Sequence, residues 1–188
     1  MIKSIIRYGG GVAAAALLAT TVASAQTAAP GSVDFGTFTP PASGGEFVEV
    51  NVSSNIIAMV TKLGGQSEPE LAEIAKGLRH IHVNVIGLDD SNRASVEERF
   101  KTIRAELDKQ GWEKVVTVQG KDQDVSVQVK THGSDTVEGI AVTVMDGRHQ
   151  AVFVNIVGDI KPEKLSVIGE RFNIEPLKKI GLPPKKSS

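Results

Sequence analysis

The chain has 188 residues, with 21 Lys+Arg against 22 Asp+Glu, 40% hydrophobic residues and no cysteine. A near-neutral balance without a Lys/Arg-rich block leaves no electrostatic footprint for nucleic acid, so a nucleic-acid partner is not expected. The missing cysteine removes disulfide frameworks, thiolate zinc sites, iron–sulfur clusters, cysteine nucleophiles and lipid attachment through an N-terminal cysteine.

Residues 1–25 have the three-part layout of a secretory signal peptide. Lys3 and Arg7 form a basic start, Val12 to Val22 is a short run rich in Ala and Leu, and Ala23-Ser24-Ala25 places small residues at both recognition positions. The apolar run falls short of the roughly 18 residues needed to cross a bilayer. Cleavage after Ala25 is therefore expected, giving a periplasmic or secreted protein with no stable membrane anchor. Residues 26–45 carry Pro30, Pro40, Pro41 and four glycines without apolar periodicity, and read as a flexible linker in which Phe35 and Phe38 are the residues able to tack onto a body. A single domain is expected over residues 46–177, and a disordered tail over 178–188.

Within that domain the hydrophobic period changes in a legible order. Glu46 to Val52 alternates, with Val48, Val50 and Val52 on one face, and reads as a strand. Ser54 to Leu63 places Ile56, Ile57, Val60 and Leu63 at helical spacing, with Gly64-Gly65 as a stop. Ser67-Glu68-Pro69-Glu70 has the form of a capping box opening a second helix, whose buried stripe is Leu71, Ile74, Ala75 and Leu78. Arg79 to Leu88 alternates Ile81, Val83 and Val85 against His80, His82 and Asn84. Val96, Phe100, Ile103 and Leu107 give the long helix Arg93 to Gln110 its buried stripe, leave Arg99 on its wet face, and are followed by Gly111. Four alternating runs come next: Trp112 to Gln119, Asp124 to Thr131, Val137 to Met145 and Gln150 to Val157. Their short polar links make them a meander of hairpins. A last helix is predicted from Pro162 to Phe172, burying Leu165, Ile168 and Phe172. The fold class that follows is α+β: a single, mainly antiparallel sheet of about six strands, with helices packed on one face and a polar face left open.

Residues that could carry chemistry are few. His80 and His82 lie two apart on a strand, so they project from one face and could offer two imidazoles to a metal, with Glu49 on a neighbouring strand as a further donor. A zinc site wants three or four protein ligands, so the expected reading is two histidines on the wetter face and no bound cofactor. His132 and His149 fall in or beside turns, where polar residues need no functional reason. Neither a Gly-x-Ser-x-Gly elbow nor a phosphate-binding glycine loop occurs. Asp89-Asp90 and Glu97-Glu98 read as a turn and a solvated helix face. Catalytic residues are left unassigned.

The order and spacing of four segments resemble a known family. Val48-Glu49-Val50-Asn51-Val52 opens the domain, Glu70-Leu71-Ala72 and Gly77-Leu78 precede the second strand, Gly111-Trp112-Glu113 follows the long helix, and Val154-Asn155-Ile156-Val157-Gly158-Asp159-Ile160 leads into the last. Together they resemble the bacterial exported family catalogued as domain of unknown function 4252. The resemblance implies a small exported protein, carries no activity or catalytic residue, and is not associated with His80 or His82. Many members are predicted lipoproteins, and the absent cysteine implies a soluble variant here. The expected role is a non-enzymatic binding or interaction module of the cell envelope. Its partner would be another envelope protein or a second copy, met through an exposed strand edge or the open polar face at Asn84, Gln128 and Asn155. A periplasmic ligand- or metal-binding protein, or a small enzyme using the polar face around His80 and His82, is the alternative.

Overall fold

The computed structural model describes residues 29–64, 69–133, 135–147 and 149–171. Strand β1 (Phe47–Ser53) leads into helices α1 (Ser54–Gly64) and α2 (Pro69–Gly77), then β2 (Leu78–Gly87) and the long helix α3 (Arg93–Lys109). Strands β3 (Glu113–Gln119), β4 (Gln123–His132), β5 (Thr136–Asp146) and β6 (Gln150–Ile160) follow, then a 3-10 turn (Pro162–Lys164) and α4 (Leu165–Arg171). All strands join one antiparallel sheet in the order β1-β2-β6-β5-β4-β3. The α+β class and the mainly antiparallel six-stranded sheet are those expected. The hairpin links force β3 to β6 to be neighbours, while α3 carries the chain from β2 to the far edge. Ser67 and Glu68 of the expected capping box, Gly65 of the helix stop and Phe172 lie outside the described residues.

The registers place β-branched residues in rows across the sheet. Val48, Val85, Val152, Val144, Val125 and Val118 are successive cross-strand partners, and so are Val50, Val83, Val154, Val142, Val127 and Val116. Branched side chains pack well on a pleated surface and against one another across strands, so these rows favour both the strands and their registers. The third row, Val52, Ile81, Ile156, Ile140 and Val129, runs beneath the helices. Ile57 of α1, Ile74 of α2 and Leu165 and Ile168 of α4 close over this aliphatic face.

The opposite face has a core of its own. Val96, Phe100, Ile103 and Leu107 of α3 pack with Phe35, Phe38, Trp112, Ala141, Ala151 and Phe153. The expectation that helices cover only one face is thus corrected: α1, α2 and α4 lie on the aliphatic face, and α3 lies on the other. The long helix has to cross the sheet to reach β3, and crossing buries its apolar stripe there. Its C-terminus closes as the sequence suggests. Gly111, at φ +73°, donates to the Asp108 carbonyl, and the Trp112 amide donates to the Leu107 carbonyl at 3.0 Å. This pair of bonds caps the last turn while joining Trp112 to Leu107 in the core.

At the other end of α3, Asn92 fixes the turn from β2. It is buried, its Oδ1 accepts from the Asp89 amide at 3.0 Å and its Nδ2 donates to the Gly87 carbonyl at 2.9 Å. Asp89 accepts from the hydroxyl and amide of Ser91 and from the Ser43 amide, which together hold its carboxyl well below the usual carboxylate range.

Residues 31–41, expected to belong to a flexible linker, form a strap packed on the aromatic face. Phe35 and Phe38 are buried against Phe153, with ring centroids 5.6 and 4.7 Å away. Proline and glycine give the segment its irregular backbone, and burial of its two phenylalanines offsets part of the entropy lost in docking it. Where it crosses β5, Gly31 sits at φ +80° directly against Glu138 and Gly139, and a Cβ on Gly31 or Gly139 would collide with the backbone of the facing segment.

Candidate functional site

The three polar residues expected on an open face are sealed inside. Asn84, Gln128 and Asn155 are each only 1–2% exposed. Alternation put them correctly on the face opposite Val83, Val127 and Val154, but the strap and α3 cover that face. The Asn155 Oδ1 accepts from the Val33 amide at 2.9 Å, and its Nδ2 donates to the Gly31 and Ile140 carbonyls at 3.0 and 3.1 Å. It therefore bonds the strap as a strand would. The Gln128 Nε2 donates to Asp108 on α3 at 2.8 Å, and Lys114 donates to the other oxygen of that carboxylate. These side chains join covering elements to the sheet, which accounts for polar groups in so buried a place. Ser126 and Thr143, opposite each other on β4 and β5, bury hydroxyls that have no hydrogen-bond partner among the described residues.

Arg99 also departs from its expected wet position. Its Nε donates to the Phe35 carbonyl at 2.7 Å and its Nη2 to the Asp34 carbonyl at 2.9 Å, clamping the strap onto α3. A neighbouring arginine ties α3 to the sheet: Arg104 pairs with Asp124 of β4 at 2.7 Å and lies 5.0 Å from the centre of the Phe100 ring.

The histidine pair does come together with polar neighbours. His80 and His82 stack at 6.1 Å between ring centroids, and His80 Nε2 lies 2.6 Å from Asn51 Oδ1. His82 Nε2 is 3.1 Å from Asn84 Nδ2 and 3.5 Å from Glu49, while the Phe35 ring packs 5.7 Å away. The ring nitrogens thus meet amides and one carboxylate. Among the described residues no group of three His, Asp or Glu side chains is arranged to hold a metal ion. Burial, followed by the charge of His82, lowers the His80 pKa below its ordinary value, so the fold favours a neutral imidazole. His82 packs against Phe35 of the strap, which partly covers it, while His80 bonds Asn51 at the exposed edge. His132 contacts Glu138 at 3.2 Å, and His149 accepts from the Leu88 amide through its carbonyl.

The open apolar surface lies elsewhere. On β1 the side chains of Val48 and Val50 are about two-fifths exposed, and on α1 those of Ile56, Met59 and Val60 are exposed by 44–59%. Only Ile57 of that helix is among the buried apolar residues described, so assigning Ile56 and Val60 to the buried stripe is corrected. The available signal was the apolar run from Ile56 to Val60, which is too broad for one buried stripe of a short helix. Five apolar residues within thirteen consecutive positions are thus exposed, on the sheet's outer strand and on the helix that follows it. A separate recess of about 310 Å³ lies between α2 and the end of β6, lined by Glu73, Ile74, Asp159, Ile160, Lys161 and Lys164. Its mixed charges include Asp159, already paired with Arg79 at 2.6 Å.

A single antiparallel sheet with an aliphatic core on one side and an aromatic core on the other defines the protein as an α+β domain with an open apolar corner at β1 and α1. The chain belongs to the family described as Domain of unknown function (DUF4252), whose model matches residues 43–168. The match spans all six strands and leaves the strap's two phenylalanines outside it. No curated protein and no solved structure matches the chain.

Proposed function

We propose that this is an exported, non-enzymatic binding module that acts by protein–protein association through the corner formed by β1 and α1. The observation carrying this reading is the exposure of Val48, Val50, Ile56, Met59 and Val60 together, where burial in a partner would recover hydrophobic free energy. The basic start, apolar run and Ala-x-Ala end of the first 25 residues support export, and the absence of cysteine favours a soluble mature protein. The native protein should begin at Gln26 by mass spectrometry, whereas an intact Met1 would remove the exported assignment. A photo-crosslinking residue placed at Met59 in native cells should give a discrete protein adduct, while the same probe at the exposed Lys101 on α3 should not. Equal labelling at both sites would remove this corner as the binding surface. Turnover of a small substrate by the purified protein, lost on replacing one polar residue with the fold preserved, would move the protein to the enzyme class.

A further inference from the structure

We infer that the surface at β1 and α1 pairs with the same surface of a second copy, β1 against β1 antiparallel about Val50, extending the two sheets into one. This inference rests on the proposed binding role and names its partner. Among the described residues the strand β1 is an edge strand, pairing only with β2 in the sheet order. Its register with β2 runs without a shift from Phe47 to Ser53, and it contains no proline and no lysine or arginine. The opposite edge differs. Strand β3 exposes Val115 and Val118 to a similar degree, but it carries Lys114 and breaks register between Lys114 and Val116, two devices that discourage edge pairing.

The main-chain geometry of β1 suits a self-complementary seam. The Glu46 carbonyl accepts from the Gly87 amide across the join with β2. In an antiparallel ladder main-chain groups alternate in direction, so the even-numbered residues of β1 bond inward and Phe47, Glu49, Asn51 and Ser53 present theirs outward. A two-fold axis at Val50 then makes Glu49 and Asn51 exchange hydrogen bonds with Asn51 and Glu49 of the copy, and Phe47 and Ser53 do likewise. Val50 meets its own copy, and Val48 meets Val52. Every valine stays on the aliphatic face, and no like charges stand opposite one another. The axis is perpendicular to the sheet, so the two α1 helices flank the seam on that same face. Their stripe of Ile56, Met59 and Val60, spaced i, i+3 and i+4, then lies beside the joined valine rows. The interface is isologous and closed, as a two-fold dimer requires.

The test is sedimentation equilibrium of the purified mature protein at micromolar concentration, with Val50→Lys and Val50→Glu measured separately and mixed. The wild type should be dimeric, and each charged variant monomeric with unchanged circular dichroism, because like charges meet at the axis. Mixing the two variants should restore a dimer, since residue 50 then faces the opposite charge. Glu49→Pro provides a second route, because it removes an outward amide without touching the bond to β2, and it too should give monomers. A monomeric wild type would overturn the inference, as would a dimer indifferent to Val50→Lys and Glu49→Pro, or monomeric charged variants that fail to associate on mixing. If the wild type is monomeric yet Val50→Lys abolishes the Met59 crosslink to a different protein, the second-copy inference fails while the binding role survives. If neither dimer nor corner-specific crosslink exists, both fail.

Discussion

The two faces of the sheet solve the same burial problem with different materials. The aliphatic face uses repeated valine and isoleucine rows beneath three short helices, and at β1 and α1 it leaves apolar side chains in solvent. The aromatic face uses one long helix and an irregular strap, closes over Phe153, and adds directional bonds from Asn155, Gln128 and Arg99. The contrast shows why polarity is a poor guide to exposure here. A polar side chain can be the joint that holds a cover in place, while a valine at a sheet edge stays exposed where no element among the described residues covers it.

The sharpest way to break this comparison is to empty the aromatic face. Phe153→Ala should destabilise the fold by about 3–5 kcal/mol in urea unfolding, because Phe35, Phe38 and Phe100 all lose the ring they pack against. A loss below about 1 kcal/mol would mean the strap and α3 do not share one core.

Charging the joints should come next. Gln128→Glu buries a carboxylate against Asp108, replacing a donated hydrogen bond with repulsion, and should cost on the order of 3 kcal/mol. Asn155→Ala should cost about 1–3 kcal/mol, since Val33 and Gly31 lose the side chain that completes their main-chain bonding. Both variants should melt earlier than wild type. Stability left intact by both substitutions would return these residues to the open surface that alternation alone suggests.

The strap's clamp provides a smaller and more local effect. Arg99→Ala removes two bonds to the Asp34 and Phe35 carbonyls, and should cost about 1–2 kcal/mol while speeding proteolysis within residues 31–41. Unchanged cleavage would mean that Phe35 and Phe38 hold the strap by themselves.

The least expected change is a pH slope. Because the folded state lowers the His80 pKa from 6.5, the unfolded chain takes up its proton first on acidification. This favours folding above the unfolded value, and the advantage is lost as pH falls through the lower folded value. Melting temperature should therefore decline as pH falls below about 6.5, the ordinary histidine value, and His80→Gln should flatten part of that decline. An identical slope in the variant would show that other groups carry it.

Legibility followed the range of the forces involved. The long helix α3, its glycine stop and the four-strand meander were readable because periodicity and turn chemistry act over a few residues. Ile56 and Val60 were misassigned because helical spacing says which residues share a side, without saying how much of that side a neighbour covers. In the strap the sequence marks only Phe35 and Phe38 as residues able to dock, because its path depends on Phe153, more than a hundred positions away, and on Asn155 substituting for a strand's backbone. The histidine cluster was partly visible, since His80 and His82 share a face by alternation, but Asn51 and Asn84 as their partners depend on register.

By itself the sequence determined the α+β class, the antiparallel sheet, the family resemblance and which residues of each strand share a side, all consequences of local period and of β-branched side chains paired across strands. Only the tertiary structure decided which side was sealed. The path of α3 across the sheet and the docking of the strap are long-range contacts, and these cover the polar face while leaving the valines at the β1 edge in solvent.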